Sequence, residues 1–308
     1  SSEKYNNLIR DCLELRIRYK LCDWAYYKML EALTKAACGN GNDAVLLQAY
    51  LYAQSGYKMR LATSNNKLIL MFNSDNLILG HGGLKLSDGY FYSTETLKEG
   101  EELSVCDITF PNESPMSMTI AEEPALDDDF SQTREIKSKK YSVETKSKVN
   151  KNLINFFNDY PTSYAEENFM TRWRYYADSP LSDSVKLELY PQLMGYLKDK
   201  DLLTAVNMLL NYVQTGLKYE YDEKVWGQDR AFFAEETLYY PYSDCEDRSI
   251  LFSRLVRDLL GLDVILVYYP GHLCCAVNFP DGAHGDYILL DGKPFTISDP
   301  TYIGAPVG

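Results

Sequence analysis

From Ile250 to Ser298 the chain reads as one helix followed by closely spaced strands, and this run constrains the fold more than any other segment. Ile250-Leu251, Leu255-Val256 and Leu259-Leu260 recur at helical spacing, and Gly261 supplies the left-handed residue that ends such a helix. Val264-Ile265-Leu266-Val267-Tyr268-Tyr269 is β-branched and aromatic, and Pro270-Gly271 is a turn signal. His272 to Phe279 makes a second strand, and Asp281-Gly282 turns the chain again before Tyr287-Ile288-Leu289-Leu290. The expected class is α+β, with helices packed on an antiparallel sheet.

Upstream, helical periodicity marks Leu153-Ile154-Phe156-Phe157 and Val185-Leu187-Leu189. It is clearest at Leu202, Ala205, Val206, Leu209, Leu210, Val213 and Leu217, which share one helix face. Before Phe110, helical patterns alternate with short strands. Between them Pro111, Pro115 and Pro124 break the pattern, Asp127-Asp128-Asp129 is a charge run, and Lys137-Ser138-Lys139-Lys140 follows. The expected division is an N-terminal α+β domain over 1–110, a linker or long surface excursion over 111–145, and a domain over 146–308 that carries the motifs.

A fainter pattern links the two ends. Asn42-Asp43-Ala44-Val45-Leu46-Leu47, running to Gly56 and Tyr57-Lys58-Met59-Arg60-Leu61, parallels Glu246-Asp247-Arg248-Ser249-Ile250-Leu251, running to Gly261 and Leu262-Asp263-Val264-Ile265-Leu266. In this register Gly41 stands where Cys245 does, and Lys67 where His272 does. The N-terminal region is therefore expected to be a degenerate second copy.

Composition excludes some function classes. A chain of 308 residues with 45% hydrophobic content can bury a full core in one large or two medium domains. A net charge of −13 repels phosphate backbones and anionic lipid, which argues against a nucleic-acid partner. No apolar run approaches the roughly 20 residues that span a bilayer. The start, Ser1-Ser2-Glu3-Lys4, lacks a methionine and a signal-peptide core, so an exported protein with an upstream segment removed is the expectation. Seven cysteines, odd in number and scattered, do not form a disulfide framework or a zinc-finger spacing. The 26 tyrosines are expected mainly to pack around a core, the sharper alternative being a polymer-binding groove.

Three residues in this last quarter carry chemistry. Ser243-Asp244-Cys245-Glu246-Asp247 opens the helix, and capping by either Ser243 with Glu246 or Asp244 with Asp247 puts Cys245 in the first turn. Free backbone amides and the helix dipole there favour the thiolate and can hold an acyl oxyanion. His272 opens a strand among apolar neighbours, where an imidazole needs a partner, whereas His81 and His284 sit beside glycine and read as loop residues. Asp299, at the end of another strand, can fix the imidazole tautomer; Asp291 and Asp286 compete for that role. Gln228, Trp226 and Tyr240 are the further candidates for an oxyanion donor or substrate contact, with Gln228 preferred by analogy with cysteine proteases.

Ser243-Asp244-Cys245-Glu246-Asp247-Arg248-Ser249 before a hydrophobic helix, Pro270-Gly271-His272 before a strand, and Asp299-Pro300-Thr301-Tyr302 together resemble the transglutaminase-like superfamily. The resemblance covers about Leu202 to Gly308. Ala234-Glu235-Glu236-Thr237-Leu238 and Tyr239-Tyr240-Pro241-Tyr242 look like bacterial members of unassigned substrate. It implies a papain-like core with Cys245, His272 and Asp299 as a Cys-His-Asp triad, working through a thioester with no cofactor and no metal. Animal cross-linking members carry Gly-Gln-Cys-Trp at the nucleophile. The departure here points to hydrolysis of a peptide, protein or cell-wall-derived amide rather than cross-linking. The rival reading is a binding module for peptide or glycan that keeps the scaffold without the activity. A third is a zinc site built from Cys245, His272 and Cys274.

Overall fold

The computed structural model describes residues 2–95, 102–106 and 108–308. In chain order the elements begin with α1 (Ser2–Arg18), α2 (Asp23–Cys38), α3 (Asn42–Gln54), β1 (Met59–Ser64), β2 (Lys67–Asn73), β3 (Leu77–Ile78), β4 (Gly82–Leu86), β5 (Gly89–Ser93) and β6 (Ser104–Cys106). Next come β7 (Arg134–Lys137), β8 (Glu144–Ser147), α4 (Lys151–Asn158), β9 (Ser163–Tyr164), α5 (Arg172–Asp178), α6 (Asp183–Leu197), α7 (Leu202–Gly216) and β10 (Lys218–Tyr219). The last are α8 (Asp222–Val225), α9 (Ala234–Tyr239), β11 (Tyr242–Ser243), α10 (Cys245–Leu260), β12 (Val264–Tyr269), β13 (His272–Asn278), β14 (Tyr287–Leu290) and β15 (Lys293–Ser298). The class is α+β. No helix among the described residues is long and apolar enough to cross a membrane.

The chain divides into two compact units, Ser1–Leu126 with Asp159–Tyr175, and Asp127–Asn158 with Tyr176–Gly308. The stretch 111–145, expected as a linker or surface excursion, is built into these units. In the first unit, bridges Tyr57↔Ser114 and Ser74↔Met116 hold the chain, and Met116, Met118 and Ile120 are buried. In the second, β7 and β8 form a hairpin that buries Ile136 and Thr145. The prolines interrupt regular periodicity, but single bridges and alternate apolar residues still order the backbone, a pattern too short to register as periodicity.

The first unit contains a sheet in the order β4-β5-β2-β1-β6. Ala62, Ile69, Met71 and Phe91 form an apolar cluster on it. Its aromatic residues pack together: Tyr27 meets Phe72 at 5.2 Å and Tyr52 edge-on at 5.4 Å, and Tyr52 stacks on Tyr57 at 4.4 Å. Such pairs gain more than their buried area alone supplies.

The second unit contains the antiparallel sheet β12-β13-β15-β14. α10 packs against β13 and β12, with α7 alongside. β13 is inside on both faces, which explains its nearly unbroken apolar reading. On one face Val267, Cys274, Ala276 and Phe295 cluster. On the other, the Ser249 hydroxyl of α10 donates to Leu273 O at 3.0 Å, and the Cys275 thiol donates back to Ser249 O at 3.2 Å. Gly261 ends α10 with φ 65°, a conformation that costs glycine nothing.

Candidate active site

Cys245 is the first residue of α10, and Asp244 is its N-cap. Of the two caps that the sequence allows, the Asp244/Asp247 pair forms, the Asp244 amide donating to Asp247 Oδ2 at 3.2 Å. Ser243 instead accepts from Arg248 Nε at 3.3 Å. The Cys245 thiol donates to Glu246 Oε2 at 3.1 Å, and the Leu273 amide of β13 hydrogen-bonds to the sulfur. β15 pairs with β13 only from Cys275↔Ser298 onward, so the backbone at Leu273 lies beyond the paired ladder and meets the sulfur instead.

One residue before Leu273, His272 opens β13, its side chain 32% exposed. Its Nε2 lies 2.8 Å from Asp299 Oδ2. The other carboxylate oxygen accepts from the amides of Thr301 at 2.8 Å and Tyr302 at 3.2 Å, which fixes the aspartate. With Nε2 engaged, Nδ1 is the ring nitrogen left for proton exchange. No hydrogen bond joins Cys245 to His272; the sulfur and the imidazole meet the same strand at adjacent residues. Of the competing aspartates, Asp291 sits in the β14–β15 turn at φ 50°, and Asp286 contributes a backbone carbonyl to Ile297. His81 packs edge-on against Trp24 in the first unit.

The electrostatics at the sulfur run against the expected thiolate. Burial pushes the Cys245 thiol well above its ordinary range, Glu246 adds to this by charge and by hydrogen bond, and only the Leu273 amide is a sizeable opposing influence. At rest the group is a protonated thiol. The zinc grouping of Cys245, His272 and Cys274 does not form among the described residues, where Cys245 groups instead with Asp244 and Glu246. Strand alternation accounts for this, since Cys274 enters the apolar cluster on the sheet face away from α10.

Behind the cysteine lies a buried acidic nest. Asp222, Asp244 and Asp247 present oxygens within 4.8 Å of one another. Asp222 Oδ2 accepts the Arg230 amide at 2.6 Å and Asp247 Oδ1 the Phe232 amide at 2.9 Å, so the nest also anchors the loop after α8. Burial, with the charges of Glu246, Asp229 and Glu223, pushes Asp222 up to about 6. Burial with repulsion from Asp247, Glu246 and Asp222 holds Asp244 well above the carboxylate range, and burial with repulsion from Asp222 and Glu246 does the same for Asp247. Shared protons relieve this repulsion. The same oxygen set could hold a hard divalent cation. Fully buried Arg248 supplies a fixed positive charge beside it, donating to Gln214 O at 3.3 Å and Leu217 O at 2.9 Å.

The remaining candidates are dispersed. Trp226, Phe232 and Tyr240 surround the Arg230 guanidinium at 5.1, 5.1 and 5.4 Å. The Tyr240 hydroxyl donates to Asn158 at 2.9 Å, which occupies it structurally. Gln228 is exposed in the same loop, and its side chain makes no hydrogen bond among the described residues. Two residues escaped the sequence reading. Tyr219 lies near Cys245: burial raises its phenol, and the charge the sulfur would carry once ionised raises it further. Gln214 of α7 donates to the carbonyls of Asp299 at 2.9 Å, Tyr302 at 3.0 Å and Ala305 at 3.0 Å, clamping the segment that carries the aspartate. One tyrosine among 26 and a glutamine on an apolar helix carry no local signal.

Compared with known proteins, the chain matches no family model, and no curated protein or solved structure is significantly similar to it.

Two predictions follow from the charges. Glu246→Gln removes the negative charge beside the sulfur, so the thiol pKa falls and Cys245 alkylation by iodoacetamide at mildly alkaline pH, followed by peptide mass spectrometry, speeds up; an unchanged or slower rate contradicts the assignment of Glu246. Asp222, Asp244 and Asp247 bind protons more tightly folded than unfolded, where carboxyls titrate near about 4. Their stabilising protons are all present below that pH and are lost as pH rises through about 6 for Asp222 and higher for the other two. Urea unfolding should therefore show stability declining from about pH 5 to pH 9, and Asp244→Asn should flatten the decline; an equal slope in the variant contradicts the account.

Proposed function

We propose that the protein is a cysteine-dependent acyl hydrolase or transferase acting on a peptide or peptide-like amide, on a transglutaminase-like, papain-like core. The observation that carries this reading is the His272 Nε2–Asp299 Oδ2 contact at 2.8 Å on the strand whose next amide, Leu273, binds the Cys245 sulfur. A nucleophile, a base with one free nitrogen and a fixed orienting carboxylate are thereby gathered at one end of β13.

In this mechanism His272 Nδ1 takes the thiol proton as sulfur attacks the acyl carbon, so no standing thiolate is required. The C–N bond breaks as Nδ1 returns the proton to the leaving amine, leaving a thioester on Cys245. Water, deprotonated by the same nitrogen, then attacks the thioester, and the proton passes to the departing sulfur. Asp299 holds the imidazole and stabilises its charged form. The Cys245 backbone amide supplies one oxyanion donor, with Gln228, Trp226 and the nearby Tyr219 hydroxyl as candidates for another. The departure of Ser243-Asp244-Cys245-Glu246-Asp247 from the Gly-Gln-Cys-Trp of the animal cross-linking members favours water over an amine as acceptor.

The raised thiol and its bond to Glu246 favour the second reading, a binding module for peptide or glycan on the same scaffold. Turnover separates the two. Against a panel of peptide and cell-wall-derived amides, Cys245→Ala should abolish hydrolysis. Asp299→Asn should lower kcat by about 10²- to 10⁴-fold with little change in KM. Turnover retained by Cys245→Ala ends the hydrolase reading.

A further inference from the structure

We infer that the first unit holds a second copy of the helix-and-sheet core around α10, in which the candidate triad is replaced by a non-catalytic pocket, built on Asn42, Lys67 and Glu95, that binds a short peptide-like ligand. The ligand class rests on the function proposed above; the pocket and the correspondence do not.

The correspondence is one of strand order and register. β12, β13, β14 and β15 lie in the order β12-β13-β15-β14, and β1, β2, β4 and β5 lie in the order β1-β2-β5-β4. A shift of 205 turns Met59↔Phe72 into Val264↔Val277 and Ser64↔Lys67 into Tyr269↔His272, with a two-residue turn between the strands in both. Beyond β2 the shift becomes 204, one residue being absent from the second unit between these strands: Asn73↔Phe91 then maps onto Asn278↔Phe295, and Gly83↔Tyr92 onto Tyr287↔Thr296. The helices that precede them, α3 and α10, are each followed by a positive-φ glycine, Gly56 and Gly261. Because a one-residue slip inverts every side chain on a strand, agreement through three successive ladders is a demanding coincidence.

The shift of 205 on β2 places Lys67 at the position of His272, the shift of 204 on β5 places Glu95 at that of Asp299, and these two side chains form an ion pair. The pairing that joins imidazole to carboxylate in one unit thus joins ammonium to carboxylate in the other. Where the Leu273 amide meets the cysteine sulfur, the Leu68 amide donates to Asn42 Oδ1 at 2.9 Å. Asn42 also donates to Asn66 O at 2.9 Å, closing the site against β2. No thiol stands there; Gly41 and Asn42 open the helix instead.

A cavity of about 280 Å³ lies at this place, lined among others by Asn42, Gln48, Lys67, Leu68 and Glu95. Its size is at the small end of ligand sites and suits one or two amino-acid residues rather than a polymer. Lys67 and Glu95, paired with each other, put a cation and an anion on one wall, and the carboxylate and amino group of a dipeptide would exchange with that pair. Asn42, held by Leu68 and Asn66, shapes the floor of the cavity, and Val45 and Leu68 offer apolar contact.

The test is an NMR titration of the ¹⁵N-labelled full chain carrying Cys245→Ala, which stops any hydrolysis. The probes are Ala-Ala with free termini and N-acetyl-alanine methylamide. Ala-Ala should give saturable shifts at the Asn42, Leu68 and Glu95 amides, with the capped probe weaker. Lys67→Met, at a side chain 59% exposed that the fold tolerates, should weaken binding by about tenfold, the loss of one charged contact. Glu95→Gln should do likewise. An absence of shifts at these amides, or unaltered binding in both variants, overturns the proposal. Shifts confined to Leu273 and Thr301 overturn it while leaving the hydrolase reading intact, and saturable shifts at Leu68, when the unsubstituted chain hydrolyses none of the amide panel, support it while the hydrolase reading fails.

Discussion

The buried first turn of α10 is the constraint on which the second unit depends. Glu246, Asp247, Arg248 and Ser249 follow the cysteine directly, and all four are buried. Burying charged groups is expensive unless each is compensated. Here every compensation builds a piece of the site. Arg248 ties α10 to the end of α7, Asp247 holds the Phe232 amide and so the aromatic loop, and Ser249 locks the helix to Leu273. The sulfur reaches the edge of β13 because this turn is held on three sides.

The histidine and aspartate are positioned by a different device. The β12–β13 turn brings His272 opposite Tyr269 at the mouth of the sheet, and β15 runs antiparallel to β13 so that its end arrives beside it. Gln214 then captures three carbonyls of the last residues, fixing the chain that leaves Asp299. The carboxylate is thus held by backbone amides and the imidazole by the carboxylate, while the thiol is committed to Glu246. The cost of the buried acids falls on the thiol, whose proton the proposed mechanism withdraws during the reaction rather than before it.

Much of this was legible in the sequence because it is local. Helical spacing from Ile250, the stop at Gly261 and the turn at Pro270-Gly271 each report the backbone that follows, and the structure places α10, β12 and β13 accordingly. The union of His272 with Asp299 could be anticipated from residue type at strand ends. The packing of Trp226 and Tyr240 around Arg230, the clamp by Gln214 and the approach of Tyr219 depend on segments remote in the chain and left no mark in it. The elevated thiol follows from packing that no local pattern reports: a helix start favours an anion, but burial of the sulfur, followed by the neighbouring Glu246 and Asp244, outweighs the dipole. In the N-terminal region Gly41 and Lys67 were visible as counterparts, whereas Glu95 lay past the aligned stretch and emerged only from strand register.

Acyl capture reports most directly on whether sulfur, imidazole and carboxylate act as one machine. The full chain, incubated with a p-nitrophenyl ester of an N-acetylated amino acid, quenched in acid and digested, should carry the acyl group on the peptide containing Cys245, and the His272→Ala chain should carry none there. Acylation of another thiol, no acylation, or equal labelling of Cys245 in the two chains would contradict the account.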